Sequence, residues 1–177
     1  MTDTPLTDAA KARQPIIDRF ADGGPIMLQA VAGLTPEQAT SHPGPGAWSP
    51  AELVAHLVDC DLVYADRMKR VIAEENPTLM NMPENLWLAG LRSGRMPVAE
   101  GAALFAANRA WTVHLLRNLD DDAFPRAGTH TETGRLTLAE ILVRAVHHLD
   151  HHLKFLYAKR ANLGVAIYPR YTANPGF

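Results

Sequence analysis

Cysteine is nearly absent from this chain. Cys60 stands alone among 177 residues, so no disulfide can form within it. No apolar run approaches the roughly 20 residues needed to span a bilayer, which argues against a membrane helix. Lysine plus arginine (17) nearly balance aspartate plus glutamate (19), and neither sign gathers into a long run. A nucleic-acid surface or attachment to an anionic membrane is therefore not expected. The first residues lack a basic segment followed by an apolar one, so no signal peptide is expected and a cytoplasmic protein is the simplest reading. No stretch of useful length alternates with the period of a strand, and no repeat recurs. With 47% apolar residues, the length suits a single domain over residues 1–177. Its core is expected over about 8–163, with a leader before it and a tail over 164–177.

Histidine is concentrated. Four of the eight histidines fall in His147-His148-Leu149-Asp150-His151-His152. The stretch lies inside a helix-periodic segment. Two i,i+4 pairs are available, and each would set two imidazoles about one turn, about 5.4 Å, apart on one side. Ile141, Ala145, His148, His152, Phe155 and Leu156 share one stripe at a helical period. Glu140, Arg144, His147, His151 and Lys154 fall on the other side. His148 and His152 are therefore expected to face inwards, and His147 and His151 outwards.

Four long helices are expected. The first covers about Asp8 to Val31, with Ile16, Ile17, Phe20, Ile26, Met27, Ala30 and Val31 inwards. Gly23-Gly24-Pro25 predicts a kink or break in it. Residues 34–47 read as a connector. Ser49 is an N-cap with Pro50 at N1 and Glu52 completing a capping box, and Trp48 can staple onto Leu53. This second helix runs to about Ala73, with Leu53, His56, Cys60, Val63 and Tyr64 inwards. Residues 76–97 predict a long, lid-like loop with a short helix at 84–91. The third helix spans about Pro97 to Asn118, with Leu104, Ala107, Trp111, Leu115 and His114 as its inward set. Residues 119–135 form a connector with a small hairpin near 129–136. Thr137 then caps the fourth helix, with Glu140 at N3, Leu136 stapled to Ile141 and Gly164 as the stop. Four one-sided helices predict an all-α four-helix bundle.

Inward histidines need hydrogen bonds or a metal. His56, His148 and His152 are the three on inward stripes, and three imidazoles with a position left open is the ligand count of a Lewis-acid site. Imidazole suits zinc, nickel, iron and copper alike. A single inward histidine such as His56 is more often a hydrogen-bonded core residue than a ligand, and an H-x-x-x-H spacing alone is only moderate evidence. His147 and His151 read best as solvent-side residues, or as groups that orient a ligand. Glu52 and Asp59, one turn either side of His56, are candidates to accept its second N–H or to act as a base. Cys60 is either a fourth soft ligand or a small buried hydrophobe. Arg67 or Arg109 is a candidate to hold an anionic group. Trp48, Trp87 and Trp111 read as anchors rather than a cofactor box.

The order Trp48-Ser49-Pro50-Ala51-Glu52-Leu53-Val54-Ala55-His56, long loop, Asn108-Arg109, Gly134-Arg135-Leu136-Thr137-Leu138 and His148-x-x-His151-His152 resembles the DinB-like superfamily over roughly residues 10–160. The resemblance implies an up-down-down-up four-helix bundle. One metal-binding histidine would come from the second helix and two from H-x-x-x-H on the last, which are His56, His148 and His152 here. It implies a divalent transition metal, zinc or nickel ahead of iron or manganese. It also implies a small-molecule substrate, with hydrolase or low-molecular-weight-thiol transferase chemistry and no assigned catalytic residue. The alternative is a non-catalytic protein with a structural or regulatory metal. An enzyme would show a pocket lined by the 76–97 loop, whereas a structural site would be closed by Cys60 or Asp59. A homodimer is expected from the resemblance and from Val165, Ile167, Tyr168, Tyr171 and Phe177, which want cover.

Overall fold

A computed structural model describes residues 7–44 and 46–170. The leader expected over residues 1–6 and the tail residues Tyr171 and Phe177 lie outside them. Among the described residues the long helices are α1 (Asp8–Val31), α3 (Pro50–Ala73), α5 (Val98–Arg117) and α6 (Leu138–Asn162). Two short helices, α2 (Pro36–Thr40) and α4 (Glu84–Gly90), sit in the connections. No helix among them is long and apolar enough to cross a membrane.

The capping residues set the helix starts. Ser49 accepts from the Glu52 N–H and Glu52 Oε2 accepts from the Ser49 N–H at 2.7 Å. Thr137 and Glu140 repeat this at α6, and Gly164 follows its end at φ +72°. A third capping box, Thr35 with Gln38, starts α2 inside the stretch read as a connector. Its signal, Thr-Pro-x-Gln, was present in the sequence.

The bundle runs up-down-down-up, and cross-helix pairs show it. Along α1 and α6, Arg19 meets Asp150 and the Ala30 carbonyl meets Arg160, so the two run parallel. Along α3 and α5, Gly101 faces Val54 and Val58 while Asp61 meets Arg109, again parallel. α5 is antiparallel to α1, with Asp18 at Arg117 and Gly24 at Ala106. α6 is antiparallel to α3, with Trp48 at His152 and Tyr64 at His148. Parallel α3 and α5 require the chain to travel back along the bundle between them. Residues 74–97 do so, and this brings α4 beside His56.

Two expectations fail. Of the kink or break expected at Gly23-Gly24-Pro25, the break does not occur, and α1 continues through it. Pro25 projects into solvent, and both glycines face α5. A Cβ on Gly24 would come within 3.2 Å of the Ala106 Cα, and one on Gly23 would collide with Arg109. Close helix approach thus offsets the weak local propensity. The face predicted for α5 is also wrong. Leu104, Ala107, Trp111 and His114 are exposed, Trp111 by 69%, and Leu115 is only half-buried. The buried face is Ala102, Phe105, Arg109, Thr112, Val113 and Leu116. It carries a charge and small residues, so an apolar count selects the other side.

Arg109 is the reason that face can be buried. Its Nε donates to Asp61 Oδ1 at 2.8 Å, and its Nη atoms donate to the Phe20 and Ala145 carbonyls at 3.3 and 3.0 Å. The Phe20 and Phe105 rings cover its two sides. One guanidinium therefore touches all four long helices. It sits where two apolar clusters meet: Ile16, Phe20, Met68 and Ile141 in one, and Met27, Leu53, Phe105 and Leu153 in the other.

A three-stranded sheet closes one end. β1 (Thr78–Leu79) pairs parallel with β2 (Ala127–His130), which pairs antiparallel with β3 (Gly134–Thr137). The hairpin matches expectation, whereas β1 was not foreseen. Two residues are too short to show a period.

Candidate metal centre

α3 presents His56 and α6 presents His148 and His152 to the same seam. His56 is 2% exposed, and His148 and His152 are half-buried. The His56 and His148 Nε2 atoms lie 3.2 Å apart. Ring centroids are 4.5 Å apart for His148–His152, 4.8 Å for His56–His152 and 5.0 Å for His56–His148. His152 Nδ1 is buried without a hydrogen-bond partner. Trp48 stacks on the His152 ring with an interplanar angle of 7°. The staple residue before α3 thus also walls the cluster.

The electrostatics keep these rings neutral. Burial, then the positive forms of His152, His56 and Arg109, push His148 down to about 3. Burial and the neighbouring His56 and His151 push His152 down to about 4. Burial also lowers His56, and Glu84 partly offsets it. Neutral imidazoles keep free lone pairs, which coordination needs. Two nitrogens bound at about 2.0–2.1 Å in a tetrahedral site are about 3.3 Å apart, and the 3.2 Å pair fits that spacing. The orphaned His152 Nδ1 and the nitrogen and sulfur donors gathered here suit a transition-metal ion as well.

Cys60 adds a fourth candidate donor. Its Sγ is 3.7 Å from both ring nitrogens of His56. The ligand atoms of His56, Cys60 and His148 all lie within 4.8 Å of one another; His152 is outside this group and meets it only by packing its ring on those of His56 and His148. Burial pushes the Cys60 thiol up to about 12, so it stays protonated in the absence of a metal.

Other sequence candidates are dispersed. Glu52 serves the Ser49 cap and His42, not His56. Asp59 lines a separate, mostly apolar groove of about 270 Å³ with Leu62, Met96 and Leu104. Arg109 is locked in the core, so it cannot hold a ligand. His147 and His151 are exposed as expected; Phe155, expected inwards with His148 and His152, is 48% exposed, and the His151 ring packs on it and on His152. The carboxylate beside His56 is Glu84, with Oε2 3.9 Å from Nε2. It comes from α4, and no spacing rule links it to His56.

A cleft of about 240 Å³ opens beside Cys60 and His148. Its walls include Tyr64 and Arg67 from α3, Arg144 from α6, and Asn81, Met82 and Glu84 from the returning connection. His130 also lines it, fixed by accepting at Nδ1 from the Glu132 and Thr133 N–H groups.

Residues 20–156 match the profile of the DinB superfamily. A protein of Oceanobacillus iheyensis named "Putative metal-dependent hydrolase OB0782" is 27% identical over 137 residues, covering 77% of this chain and 79% of its own. A Bacillus cereus (strain 03BB102) protein carrying the same description is 26% identical over the same shares. In fold, the chain is similar to YfiT from Bacillus subtilis, described as a probable metal-dependent hydrolase with an unusual four-helix bundle topology. The TM-score is 0.78 at 24% identity, with 93% of each chain covered.

Proposed function

Because this chain belongs to the DinB superfamily, we propose that it is a metal-dependent enzyme of hydrolytic type, in which His56, His148 and His152 hold one divalent transition-metal ion. Zinc or nickel is expected, since three neutral imidazoles make a borderline-soft donor set. The observation that carries an enzyme over a closed structural site is the cleft. It reaches His148 and Cys60 and is lined in part by Asn81, Met82 and Glu84 of the long connection.

When bound, the ion supplies Lewis acidity, polarising a substrate oxygen and making a water acidic near neutral pH. The chain's own residues do the rest. Trp48 and the packed rings keep bulk water from the His152 side. Glu84 Oε2, half-exposed at the mouth and 3.9 Å from His56 Nε2, accepts a proton from the attacking group. The wall of the cleft holds the small-molecule substrate. An acidified low-molecular-weight thiol would use the same position as water, so a transferase is the nearest alternative chemistry. The four exposed or half-exposed apolar groups Trp111, Tyr168, Val165 and Ile167 support a homodimer. No helix among the described residues is long and apolar enough to cross a membrane.

Elemental analysis of alanine variants tests the ligand set. His56→Ala, His148→Ala and His152→Ala should each lose most of the metal, while His147→Ala and Cys60→Ala keep it. Glu84→Gln should keep the metal and lose turnover in a panel of ester, amide and thiol-transfer substrates. A Cys60→Ala protein without metal beside a fully loaded His152→Ala would replace this ligand set with His56, Cys60 and His148.

A further inference from the structure

The cleft beside His148 holds two guanidinium groups that make no salt bridge among the described residues, although the charges of Asp66 and Glu140 act on them from a distance. Arg67 lies on α3 and Arg144 on α6, one turn before His148, and both line the same cavity. Among the described residues, neither takes part in a salt bridge. Arg67 donates through one Nη to the Met80 carbonyl, and its Nε is buried with no acceptor. Among the described residues Arg144 makes no hydrogen bond. Burial lowers the Arg67 guanidinium, Tyr64, Cys60 and Asp66 partly offset this, and the charge of Arg144 lowers it a little further. Two like charges thus share a partly desolvated space.

The two carboxylates on the wall do not offset them directly. Glu132 accepts from Asn81 Nδ2 at 2.6 Å, and Glu84 lies near His56. What the Arg67–Arg144 side lacks is a small anion with two or more oxygens, the partner that a planar guanidinium fork fits.

We propose that the substrate carries a carboxylate or phosphate group, and that Arg67 and Arg144 hold it while the reacting bond lies at the His148 end of the cleft. That the bound anion belongs to a substrate rests on the proposed metal site, whereas the anion pocket is built from the chain alone. The group's binding should therefore survive removal of metal.

The test uses the full chain stripped with chelator, titrated at constant ionic strength with inorganic phosphate and, separately, with acetate, followed by NMR. Saturable binding of at least one anion is expected, with Kd raised at least fivefold in Arg67→Gln/Arg144→Gln. Preference for phosphate would mark a phosphate ester, and preference for acetate a carboxylate substrate. The exposed Arg144→Gln variant alone should raise Kd at least twofold, which keeps the test readable if the double variant does not fold. Arg67→Lys, which keeps charge but not the fork, should fall between. No saturable binding of either anion, or the same Kd in Arg144→Gln, overturns the proposal. Failure of the metal reading is separate: it would show as less than one zinc per parent chain and leave the anion titration intact.

Discussion

Asp61→Ala should be the most damaging single change in the bundle outside its apolar core. The Asp61 and Arg109 side chains are both 2% exposed, and the pair meets at 2.8 Å. At an effective dielectric constant of about 20, two unit charges at that separation attract by about 6 kcal/mol. Asn108 Nδ2 also donates to Asp61 Oδ2, at 2.7 Å. Truncation strips Arg109 of the carboxylate in contact with it and leaves two aromatic rings and two carbonyls around the charge. Water entering the gap returns part of the loss, so about 3–5 kcal/mol is expected, the usual cost of breaking a buried pair from one side. In a chain of this size that lowers the thermal midpoint by roughly 6–20 °C. Urea unfolding of metal-free protein would read it, with Asp18→Ala as the control. Asp18 pairs with Arg117 at 2.7 Å, but both are about half-exposed, and its loss should stay within about 1 kcal/mol. If Asp61→Ala matches Asp18→Ala, Arg109 is not the electrostatic centre described here.

Acid should destabilise the metal-free protein before most carboxylates titrate. His148 is held near 3 when folded, against about 6.5 unfolded. Above about 6.5 it contributes no pH dependence. As pH falls from about 6.5 towards 3 the unfolded chain takes up the proton first, which costs about 2 kcal/mol by pH 5. His148→Asn should flatten the urea-midpoint profile over that window, and an unchanged profile would count against the burial assigned to this ring. Gly23→Ala should destabilise by on the order of 1–2 kcal/mol despite alanine's better helix propensity, because its Cβ meets Arg109 and Leu149; a gain in thermal midpoint would mean that α1 and α5 lie further apart. Ser49→Ala should cost about 1 kcal/mol and, since this cap starts the helix that presents His56, weaken zinc binding in a competition titration. Unchanged stability would show that the cap is dispensable.

The helices that carry the histidines were legible because their signals are local. A capping box needs only four residues, so Ser49–Glu52 and Thr137–Glu140 mark the starts of α3 and α6 whatever packs on them. Once the start and the 3.6-residue period are set, the inward phase of His56, His148 and His152 follows. Apolar periodicity failed on α5 for a related reason. Burial there was decided by an ion pair reaching from α3, and no property of residues 98–117 shows where Asp61 lies. Likewise nothing local to Gly23-Gly24-Pro25 reveals that another helix will press against it. Arg67 and Arg144 line one cleft because α3 packs on α6, and Glu84 joins them only because parallel α3 and α5 force residues 74–97 back along the bundle. Sequence alone determined where α3 and α6 start and which of their faces carries His56, His148 and His152. Tertiary structure decided which groups meet across the cleft, because their encounter depends on chain path and helix separation, and contacts between distant residues leave no periodic trace in either segment.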